Sequence, residues 1–237
     1  MIRELIDLLL PRECLVCGAT LGAKEEQLCI WCAADLPLTY TWEQPHNLMA
    51  DRFNLTLERA RSPDEQMQYA YAASLLYYHA ENPYKRIPQA LKYKGDVKAG
   101  RWFAQLLGVK MAMAPHFRDV DTVIPVPLHW MRQFKRGYNQ AQVIAEELAK
   151  ALGANMRTDV LKRQRRTRSQ TTMDMEGRLK NIHGAFQVRH AFPARHVLLV
   201  DDTFTTGATL AECLIQLRRA LGPSVRISVA TLAMVET

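Results

Sequence analysis

Two adjacent aspartates, Asp201 and Asp202, lie between an apolar run and a threonine-rich turn in the stretch VLLVDDTFTTGATL. Free backbone N–H groups at the start of a helix, together with the helix dipole, favour a phosphate, and threonine hydroxyls add donors. Carboxylates repel phosphate, so the aspartates suit neighbouring hydroxyls or a hard cation with oxygen ligands. A diol beside a phosphate describes a ribose 5-phosphate. The predicted site comprises Asp201, Asp202, Thr203, Thr205, Thr206, Gly207, Ala208 and Thr209.

Two other interpretations of this stretch make no use of ribose. An ordinary strand–turn–helix with a polar loop has a similar pattern, and a nucleotide-hydrolysing P-loop protein also places a glycine-containing turn before a helix. The chain contains neither GxxxxGKS nor GxxxxGKT, which argues against the P-loop. If the site binds a phosphate, Gly207 is expected to let that phosphate approach the backbone closely.

Four of the five cysteines form two pairs, Cys14 with Cys17 and Cys29 with Cys32, each separated by two residues. This spacing lets a tight turn direct both thiolates at one ion, and two such turns complete a tetrahedral zinc site. Two disulfides or a redox CxxC are the alternatives, but disulfides fit a cytosolic chain poorly and a redox motif needs one pair only. Four cysteines leave no position for water, so the zinc is expected to be structural. Cys213 is predicted to be a buried core residue.

Two basic segments are candidates for further phosphate contacts. In the first, IPVPLHWMRQFKRGYNQ, the candidates Arg132, Arg136 and Gly137 precede a helix and could hold a diphosphate, although a basic surface loop would have the same composition. The second runs from Lys162 to Gln170 without apolar periodicity, and it could close on pyrophosphate, follow a DNA backbone or remain a solvated loop. Its candidate residues are Arg163, Arg165, Arg166, Thr167 and Gln170.

The elements that must position these residues alternate between short apolar runs and helical patterns. Strands are predicted at 122–126, 197–200 and 226–232, and a strand or hairpin at 69–79. Helices are predicted at 82–93, from 96 to about 113, at 139–152 and at 207–221, and a helix or turn at 176–182. This alternation indicates an α/β fold with a parallel sheet covered by helices, whose ligands bind at the carboxyl ends of the strands. The predicted organisation is an N-terminal helix and zinc-binding module in 1–40, a polar connector in 41–68 and the α/β domain in 69–237.

The stretch VLLVDDTFTTGATL resembles the phosphoribosyl pyrophosphate (PRPP) signature of type I phosphoribosyltransferases. Together with the cysteine pairs, both basic segments and LKYKGD, it makes the chain similar to the ComF/GntX family of competence-related and DNA-utilisation proteins. The resemblance implies a type I phosphoribosyltransferase-like domain in which Asp201 and Asp202 bind the ribose hydroxyls and residues 205–209 bind the 5-phosphate. It implies magnesium with PRPP, a pyrophosphate loop around Arg136, and a flexible loop at 162–170. In LKYKGD, a helix end with a glycine stop is the preferred interpretation.

Two functions follow from the resemblance. In one, the pocket binds PRPP or a related ribose 5-phosphate ligand, and the basic surface handles internalised single-stranded DNA together with DNA-uptake or recombination proteins. In the other, the chain is a magnesium-dependent phosphoribosyltransferase in which a nitrogen acceptor displaces pyrophosphate. No residue stands out as the general base of that reaction, so no catalytic residue is assigned.

Composition sets outer limits on these functions. The 237 residues, 48% of them hydrophobic, suffice for one α/β domain with a small module, and the formal net charge of +7 suits an anionic partner. Acidic residues interrupt the apolar start MIRELIDLLLPREC, where a short amphipathic helix is predicted for Ile2 to Leu10. No run approaches the roughly 18 apolar residues of a membrane span, so we expect a cytoplasmic protein without membrane insertion.

Overall fold

A parallel sheet of five strands, in the order β1-β7-β6-β2-β3, forms the centre of the computed structural model, which describes residues 11–165 and 175–236. The sheet strands are β1 (Ala72–Tyr78), β2 (Thr122–Pro125), β3 (Asn155–Met156), β6 (His196–Phe204) and β7 (Arg226–Val235). A separate antiparallel pair joins β4 (Leu161–Arg163) and β5 (Phe186–Val188). The predicted N-terminal helix and the candidates Arg166, Thr167 and Gln170 lie outside the described residues, as does the side chain of Arg132.

Helices cover both faces of the sheet. The α-helices are α1 (Ile30–Ala34), α2 (Leu48–Ala60), α3 (Arg86–Gln89), α4 (Val97–Met113), α5 (Trp130–Arg136), α6 (Gln140–Leu152), α7 (Met175–Ile182) and α8 (Ala208–Leu221). The zinc-module residues and α4 and α6 contribute to one core cluster, while α2 and α8 contribute to the other. The predicted α/β class with a parallel sheet is therefore confirmed, whereas the phosphoribosyltransferase-like fold stays a prediction.

Strand β6 shows why the sequence produces two cores. Its residues alternate between the two faces, so that Val197 and Leu199 pack in the α2/α8 core while Leu198 and Val200 pack in the α4/α6 core. All four are fully buried. A strand covered on both faces reads as a continuous apolar run instead of an alternating one, which is the pattern that the sequence carries here.

The segment 41–68 is not an aperiodic connector, because thirteen of its residues form α2. The Asn47 side chain caps this helix by accepting a hydrogen bond from the Ala50 backbone N–H at 2.9 Å. Its buried residues Met49, Phe53 and Leu57 are spaced by four and pack in the α2/α8 core. The domain boundaries themselves stay a prediction.

The predicted helix at 82–93 is present in an irregular form. It begins as a 3₁₀ turn at Pro83–Lys85 capped by Asn82, continues as α3, and widens into a π-helix at Ala90–Lys94 before Gly95 ends it in the left-handed conformation. Single π-turns occur frequently at functional sites.

The zinc module packs against this irregular helix. The Tyr84 hydroxyl donates to the Cys32 carbonyl oxygen at 3.0 Å, and Arg86 Nη1 donates to the Val16 carbonyl oxygen at 2.7 Å. Cys14 and Leu91 belong to the same apolar cluster, so the module and the sheet share one core.

Within residues 11–165 and 175–236, no helix combines the length and apolar character that a bilayer crossing requires.

Candidate functional site

The two aspartates lie inside strand β6, which is longer than the sequence suggested. Strand β2 pairs with β6 only as far as Pro125 opposite Val200, whereas β7 continues to pair until Phe204. Asp201 and Asp202 therefore lie in the strand just beyond the end of β2, where β6 has lost its neighbour on one side. This opening is at the carboxyl edge of the sheet, where ligands of parallel α/β sheets bind.

Lys92, from the π-helix, reaches the aspartates across the sheet edge. Its Nζ lies 3.1 Å from Asp202 Oδ1 and donates to Thr203 Oγ1 at 3.0 Å. Sequence reasoning missed this residue, since LKYKGD was interpreted as a helix end. The motif LKYKGD drew attention to this region, but the sequence does not show that Lys92 lies beside Asp202, because only the fold brings the two residues together.

The aspartate pair has unusual electrostatics. Burial, and then the neighbouring charge of Asp202, raise the pKa of Asp201 from 3.8 to about 7. The Asp202 backbone N–H, which donates to Asp201 Oδ1 at 2.8 Å, and the cations Lys92 and Arg163 act in the opposite direction. A buried carboxyl group with a strongly raised pKa beside a second carboxylate is more frequent at functional sites than elsewhere.

The turn after the aspartates is anchored from behind by α2. Arg52 Nη2 donates to the Thr205 carbonyl oxygen at 3.0 Å, and Thr56 Oγ1 donates to the Thr206 carbonyl oxygen at 2.8 Å. These two carbonyl oxygens are thereby held on the α2 side. The N–H groups of the first turn of α8 have no acceptor within their own helix, as in any helix start.

Thr206 adds a donor to the same turn. Its Oγ1 is buried and has no hydrogen-bond partner among the residues that the structure describes. A buried hydroxyl without a partner is costly, and an anionic ligand at the start of α8 would satisfy it.

The backbone conformation and the packing of the turn both require glycine at position 207. Its φ is +77°, which disfavours other residues, and a Cβ atom there would lie 2.8 Å from Phe204 Cε2 and 3.0 Å from Phe53 Cδ2. The missing side chain would point into the core and not towards a ligand. The glycine lets the turn pack on two aromatic rings, and its role in letting a phosphate approach the backbone stays a prediction.

The second basic segment is ordered in part by structural contacts. Arg163 ends β4 with its guanidinium 5.1 Å from the centre of the Phe186 ring, and its charge lowers the pKa of Asp201, so the fold brings it near the site. Arg165 Nη2 donates to the carbonyl oxygens of Asn181 and His183 at 3.1 and 2.9 Å, at the end of α7. Arg165 thus caps a helix, and the predicted loop beyond it lies outside the described residues.

The first basic segment forms the helix α5 instead of the predicted loop. Gly137 ends it with a φ of +79°, and Arg136 Nη1 donates to Gln140 Oε1 at 2.9 Å. The Gln140 amide nitrogen is buried and, in the part of the chain that the structure covers, has no hydrogen-bond partner. Val126 N–H donates to the Val200 carbonyl oxygen at 2.8 Å, so this segment begins beside the aspartates.

The four predicted zinc ligands, Cys14, Cys17, Cys29 and Cys32, come together with all sulfur atoms within 4.8 Å of one another. The Cys17 and Cys29 sulfurs are 3.7 Å apart, close to the ~3.8 Å edge of a tetrahedron with zinc–sulfur bonds of about 2.3 Å. Burial raises the pKa of Cys14, but backbone N–H groups around its sulfur outweigh burial and lower it to about 6, which favours a thiolate. All four are free cysteines, so the disulfide alternative is wrong.

Another cluster resembles a catalytic triad but is closed to substrates. His196 Nε2 lies 2.7 Å from Ser228 Oγ, and His196 Nδ1 lies 2.7 Å from Asp119 Oδ1. His196 and Ser228 are fully buried at the amino ends of β6 and β7, opposite the aspartates. The geometry therefore serves to hold two strand ends together.

Comparison with known proteins agrees with the cysteine cluster and the sequence resemblance. A family model described as a double zinc ribbon domain matches residues 5–43. The chain is 35% identical over 150 residues to competence protein F of Haemophilus influenzae, covering 61% of this chain and 65% of that protein. It is 34% identical over 92 residues to the DNA utilization protein YhgH of Escherichia coli O157:H7, covering 39% and 40%.

The chain is similar in sequence to these competence and DNA utilisation proteins. Its match spans less than two thirds of the length of either relative. The predicted resemblance is thereby confirmed, and the double zinc ribbon match supports a structural zinc at the four cysteines. PRPP binding by this chain stays a prediction.

Proposed function

We propose that this chain binds PRPP or a related ribose 5-phosphate ligand at the carboxyl edge of its sheet, and that it serves the handling of internalised single-stranded DNA. The observation that carries the proposal is that one strand–turn–helix holds both a pair of carboxylates and a turn suited to an anion. The carboxylates of Asp201 and Asp202 suit hydroxyl groups, and the turn ending at α8 suits a phosphate.

Each half of the site has its own support. Arg52 and Thr56 hold the carbonyl oxygens of Thr205 and Thr206 behind the turn, and the buried Thr206 hydroxyl without a partner supplies a donor for a 5-phosphate. The aspartates sit in β6 just beyond the end of β2, at the carboxyl edge of the sheet where a ribose is proposed to bind.

The aspartate oxygens also fit magnesium, which prefers carboxylate and phosphate oxygens. When bound, magnesium would supply positive charge to the ribose and diphosphate oxygens. In this structure Lys92 supplies positive charge to Asp202, since its Nζ lies 3.1 Å from Asp202 Oδ1. A cation that arrives with the ligand would compete with Lys92 for this carboxylate.

The DNA role rests on the relatives and on charge. Competence protein F and YhgH carry names that refer to competence and DNA utilisation, and this chain has a net charge of +7. The charge is uneven, since no carboxylate occurs between Asp121 and Glu146, the stretch that borders the aspartates. A carboxylate-free basic stretch suits a phosphate backbone.

Calorimetric titration with PRPP, ribose 5-phosphate and a nucleoside tests the ligand. We expect binding of the two phosphorylated compounds, and the double variant Asp201→Asn/Asp202→Asn should weaken PRPP by on the order of a hundredfold, since hydrogen bonds to charged groups contribute roughly 1.5–3 kcal/mol each. Thr206→Val should weaken phosphorylated ligands while sparing the nucleoside. Undiminished PRPP affinity in the double variant would refute the assignment.

An active phosphoribosyltransferase is the alternative, favoured by one observation. A pKa of about 7 lets Asp201 accept a proton near neutral pH, as a general base for a nitrogen acceptor must. Incubation of zinc-loaded protein with labelled PRPP, magnesium and a panel of nitrogen bases tests it. Pyrophosphate release that depends on one acceptor would support the enzyme. If no acceptor in the panel causes release, the binding function remains.

A further inference from the structure

Helix α5 presents an aromatic pair, Trp130 and Phe134, to solvent. We propose that this pair is a stacking platform for the bases of single-stranded DNA at the edge of the ribose-phosphate site. The inference rests on the proposed DNA function and names the surface that performs it.

The exposure of the aromatic pair is the first observation. Trp130 is 70% exposed and Phe134 is 88% exposed, although both are large and apolar. Residues four apart lie on the same side of a helix, so the two rings form one surface. Single exposed apolar residues are common, but two adjacent aromatic rings held in water indicate a binding surface.

The second observation is how α5 is held. Among the described residues, no other helix or strand packs extensively against it. Its flanks, by contrast, are fixed: the Asn139 side chain donates to the Val126 carbonyl oxygen at 3.0 Å, and the Tyr138 hydroxyl donates to the Leu91 carbonyl oxygen. A helix of seven residues that buries little contributes little to stability, so its sequence is free to serve binding.

The third observation is charge, which selects the partner. Helix α5 has the sequence WMRQFKR, with three cationic residues and no carboxylate. Aromatic rings interleaved with cations suit single-stranded nucleic acid, whose bases stack on rings while its phosphates meet positive charge. A duplex offers no free base faces, and a protein partner would not require a surface without carboxylates.

The position of the platform adds a spatial argument. The segment that carries α5 leaves the sheet at Val126, which is hydrogen-bonded to Val200, the residue before Asp201. A single DNA strand whose bases stack on Trp130 and Phe134 would therefore pass beside the ribose-phosphate site.

Fluorescence anisotropy with a labelled oligothymidylate tests the proposal. Trp130→Ala/Phe134→Ala should weaken binding roughly tenfold or more, since removal of one stacking ring alone has an effect of about that size. Phe134→Tyr keeps the ring and should bind within about twofold of wild type. Trp31→Ala removes another exposed tryptophan, in the zinc module, and should have as little effect.

An abasic oligonucleotide of the same length separates stacking from charge. It retains the phosphates, so we expect the double variant and wild type to bind it equally. Circular dichroism and PRPP titration establish that the variant is folded and that its ligand site is intact.

The outcomes distinguish the two proposals. If wild type binds oligothymidylate and the double variant binds it equally well, or if the abasic strand shows the same loss, the platform is refuted while the DNA function stands. If Trp31→Ala causes an equal loss, the platform is refuted as the specific surface. If wild type binds no single-stranded DNA, the DNA function fails and the platform with it, whatever the PRPP titration gives.

Discussion

Replacing Gly207 with alanine tests the construction of the candidate site without reference to any ligand. The residue has φ +77° and lies between the turn and two phenylalanine rings. Phe204 and Phe53 meet edge to face with their ring centres 6.3 Å apart, and Arg52 lies over Phe204. A new methyl group would enter this arrangement from the turn.

The expected cost has two parts. An L-residue in the left-handed region loses about 1–2 kcal/mol, and overpacking of a filled core costs roughly another 1–3 kcal/mol. The second part applies because the Cβ would lie 2.8 and 3.0 Å from ring carbons, closer than ordinary contacts of 3.4–4 Å. Gly207→Ala should therefore lower the free energy of unfolding by about 2–5 kcal/mol.

Gly153→Ala is the matched control, because Gly153 has φ +65° with no atom within 4 Å of its Cβ position. It should lose only the backbone part, about 1–2 kcal/mol. Urea denaturation of both variants measures the difference, and a Phe204→Leu background should shrink the excess cost of Gly207→Ala by giving the methyl group room. Equal costs for the two glycine variants would refute the packing argument.

Three further predictions concern other parts of the molecule. Because the folded-state pKa of Asp201 is raised from 3.8 to about 7, wild type should lose stability relative to Asp201→Asn as pH rises from about 4 to 7. Urea denaturation across that range measures the difference in unfolding free energy between the two proteins, and a constant difference would contradict the prediction. Cys29→Ser should lower bound zinc and destabilise the N-terminal module by on the order of several kcal/mol, whereas Cys213→Ser, outside the cluster, should keep a full equivalent of zinc by metal analysis. Arg165→Ala should cost at most about 1 kcal/mol through its lost helix cap and leave the salt dependence of DNA binding unchanged; a flatter salt slope would instead show that Arg165 contacts DNA.

The features that the sequence predicts correctly depend on local patterns. The spacing within each CxxC pair is enough to predict that its two sulfurs face one ion, and the four sulfurs do cluster. The apolar run before Asp201 likewise predicts a buried strand, which a helix follows. The strand end was misplaced because Asp201, Asp202 and Thr203 have the composition of a turn. They remain in the strand because β7 continues to pair with them, which the local sequence does not reveal.

The features that sequence reasoning missed depend on contacts between distant residues. Lys92 is ordinary in its own helix and becomes part of the site only when the sheet brings it to Asp202. Helix α2 was missed because polar residues surround its buried stripe, yet its Arg52 and Thr56 hold the turn carbonyls. The packing of Gly207 on Phe53 was also missed, since Phe53 is remote in sequence.

The pairing of β1 with β7 has a consequence for the order of folding. Within the sheet, β1 has β7 as its neighbour, and Ala72 pairs with Val229, so the ribosome must make the whole chain between them before the sheet can close. Meanwhile the other edge of β1 already has a partner, because Leu38 bridges to Leu76 and the Thr39 N–H donates to the Leu75 carbonyl oxygen at 3.1 Å. The chain leaving the zinc module thus covers one edge of an apolar strand before β7 is made, so loss of zinc should promote aggregation of nascent chains in addition to destabilising the finished protein.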